Sequence, residues 1–247
     1  MNKAFPVSFD NFTFFKIIMK RLGLIGGISW VSTIDYYRLI NEAVNRELGG
    51  LNFAECIIYS FNYADIKKNN DSNNWESTFT MLSAAAEHLK NAGAEAILLC
   101  ANTMHLIADR LQEKIDLPLI HIAEATAKEI KKTNIKKVGL LGTKFTMEHT
   151  FFVSKLTAQN IETIIPGDDD RNFIHDTIFN ELGSGMLLPQ TRQRYLSIID
   201  HLISQGVEGI ILGCTEIPLL IKPEDVSVPL FNTAQIHSAA AVAFALG

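Results

Sequence analysis

The chain has 247 residues, 47% of them apolar, enough for one large domain or two of about 110 residues and too many for disorder or a fibre. Its 22 basic and 27 acidic side chains leave a formal net charge of -5, which excludes the basic field that holds nucleic acid or an anionic membrane by bulk attraction. Three cysteines with no C-x-x-C pair exclude a disulfide framework and a structural zinc site, and point to a reducing, cytoplasmic home.

Residues 1–18 hold five of the fifteen phenylalanines, but Asp10 and Asn11 interrupt any apolar signal core, so the segment reads as an N-terminal extension without a chemical role. Patterned sequence begins at Met19. Lys20 to Gly27 reads as a strand entering a tight turn, followed by a helix over Thr33 to Leu48, with Ile34, Tyr37, Ile40, Val44 and Leu48 as its apolar face and Ser32 with Asp35 as a capping box. Further helices are expected over Ser77 to Asn91, Met104 to Lys114, Ala123 to Lys132, Thr146 to Gln159, Asn172 to Leu182, Pro189 to Gln205 and Gln235 to Leu246. The last of these contains the longest uninterrupted apolar run, Ala239 to Leu246, far below the roughly 18 residues that span a bilayer.

Three strand segments recur in order. Lys20 to Gly27 returns as Lys136 to Thr143, Gly93 to Leu99 as Gly206 to Leu212, and Leu117 to Glu124 as Val228 to Gln235, at offsets of 116, 113 and 111 residues. Strands alternating with helices give parallel sheets with crossover helices, and the duplication predicts two similar α/β halves with parallel sheets, related by a pseudo-twofold axis and facing one cleft. The expected division is residues 19–117 with 226–247 in the first domain and 118–225 in the second. Ligands of such sheets bind beyond the carboxyl ends of the strands.

Two cysteines fall there. Cys100 opens Cys100-Ala101-Asn102-Thr103-Met104-His105 after one strand, and Cys214 opens Cys214-Thr215-Glu216 after its counterpart. Free cysteine is more often an inert small hydrophobe, which is how Cys56 reads; a matched pair at equivalent strand ends reads instead as a site. Asn102, Thr103, Thr143, Thr146 and Thr215, with backbone N–H groups at helix starts, are the donors able to hold a carboxylate. The first four are also favoured helix caps, and the two roles coexist. Glu216 completes the substrate-binding set; it and His105 are placed to set thiol pKa values, although both residue types serve structure as readily.

The paired segments Cys100 to Thr103 and Gly213 to Glu216, with the openings Gly26-Gly27-Ile28-Ser29-Trp30 and Gly142-Thr143-Lys144-Phe145-Thr146-Met147, resemble the aspartate/glutamate racemase family over about residues 19–247. Within it the chain looks closest to the aspartate and broad-specificity amino-acid racemases, because Gly26-Gly27 and Cys214-Thr215-Glu216 stand where glutamate racemases carry Asp-Ser and Cys-Thr-His. The resemblance implies inversion of an amino-acid α-carbon by two opposed thiols, Cys100 taking the proton of the D-enantiomer and Cys214 that of the L-enantiomer. It implies no pyridoxal phosphate and no metal, and a homodimer. A thiol suits the task, since its reference pKa of about 8.5 lets one cysteine be thiolate and its partner thiol with modest tuning.

No cofactor is called for by the residues either: Gly23-Leu24-Ile25-Gly26-Gly27 has neither the G-x-G-x-x-G spacing nor the Gly-Lys-Ser/Thr of a phosphate loop. Asp168-Asp169-Asp170 reads as helix-start charge rather than a metal site. For a side-chain carboxylate the sequence offers no unambiguous basic partner, with Arg171 the one substitute. Two other functions stay open: a decarboxylase or maleate-type isomerase on the same scaffold, and a non-catalytic amino-acid binder.

Overall fold

The computed structural model describes residues 19–247; the expected N-terminal extension lies outside them. The first half runs β1 (Leu22–Gly26), α1 (Trp30–Leu48), β2 (Cys56–Ser60), α2 (Tyr63–Asp71), α3 (Trp75–Asn91), β3 (Ala96–Leu99), a 3-10 turn (Thr103–Ile107), α4 (Ala108–Lys114) and α5 (Ile122–Lys131). The second runs β4 (Lys137–Gly142), α6 (Lys144–Glu148), α7 (Thr150–Thr157), β5 (Glu162–Ile164), α8 (Asp168–Asn180), α9 (Pro189–Ser204), β6 (Gly209–Gly213), α10 (Ile217–Leu220), β7 (Leu230–Asn232) and α11 (Thr233–Leu246). The result is two parallel α/β sheets, ordered β2-β1-β3 and β5-β4-β6-β7.

The duplication extends to single hydrogen bonds. Ile97 N–H donates to Pro118 O (2.8 Å) and Ile210 N–H to Pro229 O (2.9 Å), so each copy of the third repeated segment lies along its own half's third strand. This moves the expected domain boundaries. Residues 118–120 run beside β3 in the first half, through the bridge between Ile97 and Leu119, and Leu230–Asn232 pairs with β6 in the second, the reverse of the expected division. Only the helices cross over. Ile122, Ala123, Ala127 and Ile130 of α5 enter the second half's core, whereas Ala234, Ala241, Val242 and Ala245 of α11 pack with Leu22, Leu24, Tyr36 and Ile40 of the first. A boundary placed at each strand fails because the exchange happens one step later.

The buried face of α1 differs from expectation as well. Its inward residues are Ser32, Thr33, Tyr36, Ile40 and Val44, while Ile34 (54% exposed) and Tyr37 (50%) face outward. The helix starts at Trp30, with Ser29 as its N-cap accepting from Ser32 N–H (3.3 Å). Thr33 is buried because its hydroxyl is fully used, donating to Ser29 O (2.9 Å) and accepting from Gly27 N–H (2.9 Å). Those bonds fix the rotation of the helix against the sheet, and the alternative apolar stripe is left out. Elsewhere the expected helix over Met104 to Lys114 opens as a 3-10 turn, and that over Thr146 to Gln159 divides at His149, which is extended (ψ 150°). Cys56 is half-buried on edge strand β2.

Where the halves meet, three histidines pack together. His105 lies 4.8 Å from His121 and 5.4 Å from His237, ring centre to ring centre. Carbonyl oxygens only accept, so His237 carries its proton on Nε2, donating to Ile120 O (2.6 Å), and its Nδ1 accepts from Tyr36 O–H (2.8 Å). By the same logic His105 Nδ1–H donates to Ala101 O (3.0 Å). Burial pushes all three down, His121 and His237 to about 4. An unfolded chain protonates His121 and His237 below about pH 6.5, whereas the native chain resists until about 4, so stability is lost as pH falls through that window, by up to about 1.4 kcal/mol per pH unit for each of the two. The unfolding midpoint, read by circular dichroism, is therefore expected to be clearly lower at pH 5 than at pH 7.5; equal midpoints would contradict neutral histidines in this seam.

Candidate active site

A cavity of about 520 Å³ opens beyond the carboxyl ends of β1, β3, β4 and β6. One wall is the turn Gly27 to Ser29 with the first turn of α1, whose leading N–H groups have no partner within the helix. Gly27 is required there: its φ is +79°, and a Cβ would sit 2.2 Å from Phe61 O. That close approach brings Phe61, Asn62 and Tyr63 alongside α1. The opposite wall comes from the second half, through Thr143, Ile178, Phe179 and Gly213 to Glu216.

Of the residues expected from sequence, Asn102, Thr143, Cys214, Thr215 and Glu216 line this cavity. Thr103 and Thr146 do not. Thr146 is fully buried behind Thr143, its N–H donating to Thr143 Oγ1 (3.4 Å) at the start of α6. Asn102 donates from Nδ2 to Thr233 Oγ1 (3.2 Å), which donates in turn to Leu212 O (3.0 Å), joining the two halves beneath the site. Arg171 is committed elsewhere, to Glu148, Asp168 and the carbonyl of Pro166, and the acidic triplet Asp168 to Asp170 forms the first turn of α8.

Cys100 requires a correction. It is 1% exposed and packs with Leu22, Leu24, Tyr36, Ala96 and Leu98, outside the cavity lining. Side chains alternate along a strand, so Ala96, Leu98 and Cys100 share the face under α1 and α11, whereas Ile97 and Leu99 take the other. Its backbone allows no slippage: Cys100 N–H donates to Ile25 O (2.9 Å) and Ser32 O–H donates to Cys100 O (2.7 Å). The cavity-facing residue is Ala101.

Strand register leads to the same place. Leu99 pairs with Ile25 and Leu212 with Leu141, which makes Ala101 the counterpart of Cys214 and Cys100 that of Gly213. The signal was present in the sequence, since the 113-residue offset between Gly93 and Gly206 carries Ala101 onto Cys214.

Cys214 is the cavity's one thiol among the described residues. Its Sγ–H donates to Glu216 Oε2 (2.6 Å), which also accepts from Thr215 O–H (2.8 Å). Burial, then the charge of Glu216, push the thiol well above its ordinary value, so at neutral pH the proton rests on sulfur. Burial also pushes Cys100 far up, which leaves it inert.

Comparison with known proteins agrees with this architecture. A family model described as Asp/Glu/hydantoin racemase matches residues 25–241. The chain superposes on the crystal structure of a putative Asp/Glu racemase from Yersinia pestis with TM-score 0.89 at 48% identity, covering 93% of this chain and 100% of that one. An aspartate racemase homologue from Pyrococcus horikoshii OT3 gives TM-score 0.81 at 38% identity over 92% and 99%. The broad specificity amino-acid racemase RacX of Bacillus subtilis (strain 168) is 25% identical over 222 residues, 86% of this chain and 92% of that one.

Thiol chemistry tests the site directly. In a Cys56→Ser background, iodoacetamide followed by peptide mass mapping is expected to label Cys214 and spare Cys100. Glu216→Gln removes the charge that raises the thiol, so the labelling midpoint is expected to shift to lower pH. Faster labelling of Cys100, or an unmoved midpoint, would contradict the geometry.

Proposed function

The chain belongs to the Asp/Glu/hydantoin racemase family, and from that premise we propose that it transfers a proton at the α-carbon of an amino acid, without a cofactor, using Cys214 as the acid/base group. The observation that carries this reading is the Cys214–Glu216 pair in the wall of the cleft. When Glu216 takes the thiol proton, the thiolate accepts the α-hydrogen and the electron pair stays on the carbon, delocalised into the α-carboxylate. Returning the proton from sulfur restores the starting enantiomer, while delivery to the opposite face gives its mirror image.

Acidity of the α-hydrogen is the main barrier, and donors aimed at the growing charge lower it most. The N-terminus of α1, Asn102 and Thr143 support the carboxylate in that role. Among the described residues Glu216 is the one charged side chain in the lining, and it complements the substrate's ammonium group. The homodimer and the cytoplasmic home belong to this same reading and rest on the family resemblance.

The opposed-thiol mechanism does not carry over, because Ala101 stands where the second acid/base group would be. Protonation of that face falls to water or a hydroxyl, which makes exchange on the Cys214 face faster than inversion. Proton NMR in deuterated water with a panel of L- and D-amino acids is expected to show α-deuteration outrunning formation of the mirror image. Cys214→Ser should lose roughly 100-fold or more of the exchange, in the range of removing a general acid/base. Cys100→Ala should keep it, and Ala101→Cys should raise inversion relative to exchange. Absence of exchange with every amino acid would overturn the reading.

A single thiol also favours the decarboxylase alternative, which needs one proton donor on one face only. Carbon dioxide release from a disubstituted malonate, without exchange on amino acids, would select it.

A further inference from the structure

The cleft's composition bears on substrate class. Among the described residues its lining contains Trp30, Phe61, Tyr63 and Phe179, with Ile28 and Ile178, and no lysine, arginine or histidine. A carboxylate entering such a space needs a partner of opposite charge, since burying an unpaired ion is strongly unfavourable. An amino acid's own carboxylate has the N-terminus of α1 as its seat; a second one, on the side chain, finds no cation among the described residues. Glu216 makes matters worse for it, placing a like charge in the same small volume.

The nearest cation considered for that role does not reach. Arg171 holds Glu148 and Asp168 and is absent from the lining. Meanwhile the aromatic groups are under-used by the fold itself. Trp30 is 69% exposed and Phe179 45% exposed, although both sit in the wall of a cleft. Water-exposed aromatic rings around a concave site are surface that a bound apolar group covers, and removing that surface from water favours binding. The volume, about 520 Å³, leaves ample room for a ring beyond the α-carbon.

From this lining we infer that the substrate carries a large apolar side chain, aromatic or long aliphatic, seated against Trp30, Phe61, Tyr63 and Phe179, and that aspartate and glutamate are poor substrates. This deepens the α-carbon reading above and rests on it for the reaction, though not for binding. The residues that recognise the side chain and those that move the proton then divide the cleft: α1, the Phe61 to Tyr63 segment and the end of α8 do the first, and the loop after β6 does the second.

Two measurements keep the inferences separate. Isothermal calorimetry of the full chain with phenylalanine, leucine, aspartate and glutamate reads binding alone, and α-deuteration of the same four reads turnover. Phenylalanine or leucine is expected to bind at least tenfold more tightly than aspartate and to exchange with at least tenfold higher kcat/KM. Phe179→Arg, at a part-exposed position, is expected to narrow or reverse that ratio by supplying the missing cation. Apolar preference in binding with no exchange in any arm would keep this inference and overturn the proton-transfer reading. Equal or tighter binding of aspartate or glutamate, or no binding of any of the four at millimolar concentration, would overturn the inference.

Discussion

One backbone constraint decides what this cleft contains. The chain at the end of β3 is held by Cys100 N–H on Ile25 O and by Ser32 O–H on Cys100 O, so the alternation of side chains along the strand runs on unchanged to its last residue. Cys100 inherits the direction of Leu98 and Ala96, into the core under α1 and α11. Ala101 inherits the direction of Leu99 and reaches the cavity. A shift of one residue would exchange them and give a cleft with two sulfurs; the two hydrogen bonds forbid it.

From that constraint follows an unequal pair of lobes. The second supplies a thiol and a hydroxyl that both donate to one carboxylate oxygen, at 2.6 and 2.8 Å. The first supplies the helix N-terminus, the amide of Asn102 and most of the aromatic surface. The duplicated fold therefore divides the labour instead of mirroring it. Electrostatics sharpen the division, because the low-dielectric setting that raises the thiol also makes Glu216 selective for a cationic neighbour and hostile to an anionic one.

Much of this was legible in the sequence. Gly-bounded strands alternating with helices gave the two α/β halves, and the Cys214-Thr215-Glu216 segment marked the site before its geometry was known. The rest failed for definite reasons. Apolar periodicity on α1 offered two competing stripes, and the choice between them was made by the hydroxyls of Ser32 and Thr33, which hydropathy counts as surface. Thr146 and Thr103 carry the right chemistry, yet Thr146 faces back onto Thr143 in its own turn and Thr103 lies outside the cavity lining. At the end of β3 the repeat offset of 113 sets Ala101, not Cys100, opposite Cys214, a signal carried by position and not by residue type. Crossover of α5 and α11 between lobes is a tertiary choice that no local pattern encodes.

The most direct test of the single-sulfur cleft is a crystal structure with a non-reactive α-methyl amino acid bound. The account places Cys214 Sγ about 3.5 Å from the α-carbon on one face, the near-attack separation, with the methyl group of Ala101 on the other and Cys100 still under α1. Finding Cys100 Sγ turned into the cleft, opposed to Cys214 across the α-carbon, would contradict it.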